Sequence, residues 1–245
     1  MTQMQIDPEV AAELAALPLE RLVHVTPALA LPSILIDGEL RSTSDLKDDV
    51  RASYRAIDRD RLDGQLSKIS CSFQYPNTYY LRRARHKLSI HNFPDWVCLL
   101  LDKRVAAHAG TLFCHRNAAA KDANSIPGVA GLRACFAPSV RGHRSSTYTR
   151  GRGHDPASPT DIQAEVLVTA PIALADVRAI VFKTEADAMQ EYGRLGQLGV
   201  SLPDHIRWVV AEGMFMWPRV KKAVQTSRFF PMTDWSPVPQ RIGTA

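Results

Sequence analysis

Cysteine is scarce in this 245-residue chain: Cys71, Cys98, Cys114 and Cys135 are all there are, and none forms a CxxC pair. Their spacing fits no structural zinc pattern, and no cluster of His, Cys and carboxylate has ligand spacing, so no metal is expected. Cys71 and Cys98 fall in apolar, strand-like runs, where a free Cys acts as a small buried hydrophobe. The four read as reduced core thiols of a cytoplasmic protein. No apolar run approaches the length of a membrane-crossing helix. Met1 to Val10 are polar and acidic, unlike a signal peptide. There is no GxGxxG, no Walker loop and no nucleophile elbow, which argues against a Rossmann dehydrogenase and a P-loop NTPase.

What is present suits one compact domain with an ample core, since 45% of the residues are hydrophobic. The reading is a single domain over residues 1–230 and a Pro-rich, loosely ordered tail over 231–245. Net charge is +5, but the basic residues are unevenly spread. Arg141, Arg144, Arg150 and Arg152 crowd one stretch, and Arg82, Arg83, Arg85 and Lys87 another. Such patches favour an anionic ligand, whether dinucleotide or nucleic acid.

The pattern along the chain is α+β, with short strands in mixed or antiparallel sheets and flanking helices. Helices are expected over 7–17, from Pro27 to about Ile36 with Asp37-Gly38 closing it, over 78–87, and from Thr184 to about Leu195. Strands are expected at 21–26, 67–73, 96–101, 111–115, 162–168, 177–182 and 205–211. Residues 42–60 are charged and read as partly helical, and Val220 to Val224 as a short basic segment. Residues 125–158 read as one long loop, and loops of that length in a compact domain usually carry function.

The strand at 162–168 holds the first candidate group. At period two, Ile162, Ala164, Val166 and Val168 share one face, while Gln163 and Glu165 share the other. A lone carboxylate is thus held on a rigid strand, beside an amide and directly after a basic loop. His24 and Thr26 share a face of the first strand, where a His can donate to ribose hydroxyls or a phosphate. Arg61 sits in a turn before a strand. Tyr79 and Tyr80 head a basic helix and offer rings for stacking.

In chain order, four pieces resemble the DarT-type ADP-ribosyltransferases, toxin enzymes that modify DNA bases. They are His24-Val25-Thr26 before the Gly38-closed helix; Arg61-Leu62-Asp63-Gly64 leading to Ser70-Cys71-Ser72-Phe73-Gln74-Tyr75-Pro76-Asn77; Phe113-Cys114-His115-Arg116-Asn117; and Pro159-Thr160-Asp161-Ile162-Gln163-Ala164-Glu165-Val166. The strand before Asn77 is similar to that of a divergent branch rather than to the thymidine-modifying branch, so guanine and thymine both stay open as the target. The resemblance implies an ADP-ribosyltransferase-like fold and NAD as a substrate split at its nicotinamide–ribose bond. It implies Glu165 as catalytic carboxylate and Arg61 as active-site arginine. His24, Thr26, Arg61, Ser72, Tyr79 and Tyr80 would hold NAD, and Asn77 would help shape the pocket. Gln163, His143, Arg144, Tyr148 and Arg150 would hold the acceptor, a base of single-stranded DNA. An antitoxin hydrolase that removes the ADP-ribose is the implied partner. Transfer to RNA, protein or water, and a non-catalytic nucleic-acid-binding module, remain the alternatives.

Overall fold

The computed structural model describes residues 4–47, 64–85, 95–120, 122–142 and 146–237. Helix α1 (Pro8–Ala16) is capped by Asp7, whose carboxylate accepts from the Glu9 and Val10 amides. Strand β1 (Arg21–Pro27) follows, then α2 (Leu31–Asp37), which ends on Gly38 in the left-handed region, φ 73°. Strand β2 (Glu39–Leu40) and helix α3 (Thr43–Lys47) precede β3 (Lys68–Phe73) and α4 (Thr78–Arg85). Next come β4 (Trp96–Asp102), β5 (Leu112–Cys114), β6 (Ile126–Pro127), α5 (Gly128–Cys135) and the hairpin β7 (Ser139–Arg141) with β8 (Thr147–Thr149). The chain continues through β9 (Glu165–Thr169), β10 (Ile172–Ala173), β11 (Val177–Phe182), α6 (Glu185–Gln197), β12 (Arg207–Val210), α7 (Trp217–Thr226) and β13 (Thr233–Asp234).

Among the described residues nine strands form one sheet, ordered β13-β12-β11-β4-β1-β3-β9-β5-β6. Every neighbouring pair is antiparallel except β11 and β12, which run parallel through the α6 crossover. The sheet forks in the middle. β1 pairs with β3 only at Leu22–Phe73 and Val23–Ser72. Beyond that point β1 stays paired with β4 as far as Pro27–Trp96, and β3 stays paired with β9 back to Lys68–Thr169. Two half-sheets therefore diverge from a shared seam.

Period-two burial sorts the strands onto two faces. Ile69, Cys71, Phe73, Val97, Leu99, Leu101, Val166 and Val168 join the main core with α1, α5 and α6. Val23, Cys98, Leu100, Val181 and Val209 face a second core completed by Leu81, Met214 and Phe215. β4 is buried on both sides, as its unbroken apolar run requires. All four cysteines are buried free thiols. Thr184 and Asp187 form a reciprocal capping box on α6.

Four departures from the sequence reading have physical reasons. Residues 125–158 are not one loop but contain β6, α5, β7 and β8. The two glycines of α5 hide its helix, yet Leu132 and Cys135 are fully buried in the core, and tertiary packing outweighs propensity. The strand expected from 162 starts at Glu165, because Asp161 turns the chain by accepting the Gln163 amide and closing on Ala164. The segment around Val220–Val224 is helix α7, whose Val220, Ala223 and Val224 are buried. The tail expected to be loose contributes β13 to the sheet edge, and Trp235 packs on Trp208 with ring centroids 5.5 Å apart. The turn at Arg61 lies outside the described residues.

Two substitutions check this architecture. Phe73 is 2% exposed and packs edge-on against Phe136 at 5.2 Å. Phe73→Ala is expected to cost about 3–5 kcal/mol in urea denaturation. A Cβ on Gly131 would run into the Ile126 carbonyl, whereas one on Gly193 would meet open space. Gly131→Ala should therefore lower stability by about 1–3 kcal/mol. Gly193→Ala, in the exposed middle of α6, should raise it by about 0.5–1 kcal/mol.

Candidate active site

The fork between β1 and β3 opens into a cleft of about 240 Å³. Past Val23, His24 to Thr26 lie on one wall and Ile69 and Ser70 on the other. The His24 ring spans the gap: its Nδ1 lies 2.9 Å from the Ser70 carbonyl oxygen. A carbonyl only accepts, so Nδ1 carries the proton, and in the neutral ring Nε2 is left as the acceptor. Thr26, 6% exposed, lines the same wall two residues on.

Glu165 stands where the cleft meets the sheet. It is the first residue of β9, opposite Ser72 on β3 and Cys114 on β5, so paired strands fix its backbone on both sides. Val166 and Val168 turn into the main core, and Leu167 packs with Cys114 and Ala118 on the opposite face. Glu165 shares the Leu167 side, is half-buried and lines the cleft. The Ser70 hydroxyl donates to its Oε2 at 3.2 Å. One residue of β3 thus engages both key groups, its carbonyl meeting His24 and its hydroxyl meeting Glu165.

Ser72 and Asn77 shape the adjoining turn. Ser72 Oγ accepts the Asn77 amide at 3.1 Å, and Asn77 Oδ1 accepts the Tyr80 amide at 3.0 Å, capping α4. This cap sets Tyr80 in the cleft, edge-on to Trp96 at 6.5 Å. Tyr79 points elsewhere: it is 42% exposed and meets Trp217 of α7 at 6.0 Å. The two tyrosines therefore serve different surfaces.

The segment leading to Glu165 is tightly tied. Arg150 donates to the Ser158 carbonyl at 2.7 Å and the Asp155 carbonyl at 3.1 Å. Burial pulls its pKa below the ordinary arginine value. The Asp155 carboxylate accepts from Ser158 Oγ at 2.6 Å and from the Ala157 amide. Asp161, 3% exposed, accepts the Gln163 amide, and burial pushes its carboxyl up. Arg150 is thus a staple of the segment, its guanidinium spent on backbone carbonyls. Gln163 sits in the turn just before Glu165, half-buried, rather than beside it on a strand face. Tyr148 is exposed on β8, while His143, Arg144 and Arg61 lie outside the described residues.

Two cations that the sequence did not single out line the cleft. Arg41, just after β2, is held by Asp37 at 3.6 Å and by the Asp45 carbonyl at 3.1 Å. Lys68 donates to the Gly110 carbonyl at 2.7 Å and Thr169 Oγ1 at 2.9 Å, and burial lowers its pKa. Only the Asp37–Arg41 spacing of four could have hinted at Arg41, and that spacing is common on helices. A cleft lined by hydroxyls, the cations Arg41 and Lys68, the rings of Tyr80 and Trp96, and the carboxylates Glu165 and Asp37, the second already paired with Arg41, suits a dinucleotide with a reacting ribose.

Residues 23–216 match the family model described as "ssDNA thymidine ADP-ribosyltransferase, DarT". No curated protein sequence matches the chain. Among solved structures, DarT of Thermus sp. 2.9 in complex with NAD+ superposes with a TM-score of 0.53 at 15% identity, over 81% of this chain and 98% of that one. The same Thermus protein in complex with ADP-ribosylated single-stranded DNA gives 0.52 at 13% identity, over 87% and 100%. At these identities the superpositions establish a shared fold. The family model spans most of the chain, strands of both half-sheets and the cleft between them included, and the chain therefore belongs to the DarT family of NAD-dependent ADP-ribosyltransferases.

Proposed function

We propose that this protein takes ADP-ribose from NAD and attaches it to thymine in single-stranded DNA. The observation that carries the proposal is Glu165, held by the Ser70 hydroxyl at the mouth of the forked sheet, with His24 anchored to the same residue. The family's description supports thymidine over guanosine as the target. The Thermus relative, whose structures contain NAD+ in one case and ADP-ribosylated single-stranded DNA in another, supports both substrates.

Breaking the bond between nicotinamide N1 and ribose C1′ sends its electron pair to the pyridinium and leaves positive charge on the ribose. A fixed carboxylate facing that ribose stabilises the charge more in the transition state than in the ground state. The electron pair of a thymine ring nitrogen then forms the new bond to C1′. The proton displaced from that nitrogen passes to Glu165 and on to solvent, so the products are modified DNA, neutral nicotinamide and one proton. In this reading Thr26 and His24 hold the nicotinamide ribose, Tyr80 stacks on a ring of NAD, and Arg41 or Arg61 meets the diphosphate. Gln163 contacts the acceptor base from the turn before Glu165. Base modification harms a cell's own DNA, so the enzyme acts as a toxin paired with an antitoxin that removes the group. No described helix is long and apolar enough to cross a membrane. The buried thiols fit a reducing cytoplasm.

The test combines labelled NAD, four single-stranded oligonucleotides each rich in one base, and a Glu165→Gln variant. Label on the thymine-rich strand, reduced roughly 10²–10⁴-fold in the variant, is expected. Label on the guanine-rich strand would overturn the choice of base, and nicotinamide release with no labelled strand would overturn the DNA acceptor. NAD left intact by folded protein would leave only a binding module. Ser70→Ala should lower kcat roughly tenfold with little change in KM for NAD, because it removes a hydrogen bond to an ionised group and leaves the cleft walls in place.

A further inference from the structure

Several exposed arginines among the described residues are neutralised. Arg104 and Arg178 both close on Asp102, Arg133 on Glu13, and Arg207 on Asp234. One surface is different. Helix α7 exposes Arg219, Lys221 and Lys222, Arg228 follows it, and Arg82 on α4 and Arg152 in the segment before Glu165 are exposed as well. None of these six has an acidic partner among the described residues. The sequence explains why: there is no Asp or Glu from Tyr75 to Pro94, from Ala123 to His154, or from Gly213 to Thr233.

Tertiary structure brings these three acid-free stretches together. Tyr79 of α4 meets Trp217 of α7, and Arg82 lies one turn beyond Tyr79 on the same helix face. Lys221 lies one turn beyond Trp217. At the other end of α7, the Ser227 hydroxyl donates to the Gly153 carbonyl at 3.1 Å, which sets Arg152 beside the helix terminus. Two aromatic rings are exposed on this surface, Tyr79 at 42% and Phe229 at 65%. The surface also borders the cleft, since Tyr80, the residue after Tyr79, lines it. The family match stops at residue 216 and α7 starts at Trp217, so the helix lies outside the region shared with the family model.

We infer that α7 and the adjoining face of α4 form a track for the DNA strand flanking the target base. Its lysines and arginines neutralise phosphates, and Tyr79 and Phe229 stack on bases without reading their identity. The inference rests on the proposed nucleic-acid acceptor and deepens it, because it gives the strand a path away from Glu165. Single-stranded DNA is favoured over a protein partner because the surface combines two exposed rings with cations that have no acidic partner among the described residues.

The test is binding of a labelled 16-nucleotide oligodeoxythymidine, followed by anisotropy across a salt series without NAD. It compares wild type, a Arg219→Ala/Lys221→Ala/Lys222→Ala variant, and a control lacking the paired Arg104, Arg178 and Arg207. Loss of three phosphate contacts should weaken binding tenfold or more at low salt and reduce the salt slope by about 2. In the transfer assay, KM should rise for the 16-mer but not for a 4-mer carrying one thymidine. Equal losses in variant and control, an unchanged variant, no binding by wild type, or binding of oligouridine alone would each overturn the track. If the triple variant is poorly folded by circular dichroism, Lys221→Gln/Lys222→Gln replaces it, with about two thirds of the expected change in slope. Binding is read without turnover, so a wild type that binds through α7 but transfers nothing would overturn the proposed function and leave the track standing.

Discussion

The candidate active site of this protein depends on the interruption of one strand pairing. β1 and β3 share a ladder for two residue pairs and then separate, each kept straight by its other neighbour. A pair of strands cannot part inside a sheet without exposing backbone polar groups, and each buried orphan would cost on the order of 1–3 kcal/mol. His24 relieves part of this cost by bonding the Ser70 carbonyl across the opening. Two walls of the cleft are therefore regular strands, and the groups standing on those strands are held to within small displacements. That is the condition under which a single carboxylate can act on a developing charge.

The second constraint is the approach to Glu165. A strand alone would fix the side chain's direction but not its distance from the cleft mouth. The chain from Arg150 to Ala164 supplies that distance through closely spaced local bonds: the Arg150 staple, the Asp155 turn and the Asp161 turn. Helix α7 supports it from outside. Its Val220, Ala223 and Val224 pack with Tyr75, which follows β3, and with Ile162, which precedes β9. The Val224 carbonyl accepts the Asp155 amide at 2.7 Å. One helix thus touches the ends of both strands that carry the site, with its apolar face inward and its cations outward.

Charge follows the same division. Acidic and basic residues mix over the sheet edges, where ion pairs between exposed groups add little stability but keep the surface neutral. They separate around the site, where a polyanion would need to lie. A net charge of +5 understates this, because an average over the molecule conceals a local field.

Period-two burial, capping residues and turn chemistry made β1, β3, β4, β11 and α6 legible in the sequence, because these depend on neighbours a few residues away. Glu165, His24 and Ser72 could be nominated for the same reason, each lying on a recognisable strand within a recognisable order of motifs. Helix α5 was not legible, since two glycines in eight residues deny it local propensity and only burial of Leu132 and Cys135 makes it form. Nor could the sequence separate Tyr79 from Tyr80, place Arg150 on backbone carbonyls, or bring Arg41 to the cleft. By itself, then, the sequence determined the long strands of the sheet, which face of each is apolar and which residues to nominate for the chemistry. Only the tertiary structure decided where the sheet forks, which of those residues meet, and that three distant acid-free stretches form one surface. Those outcomes depend on contacts between residues far apart in the chain, which no local pattern records.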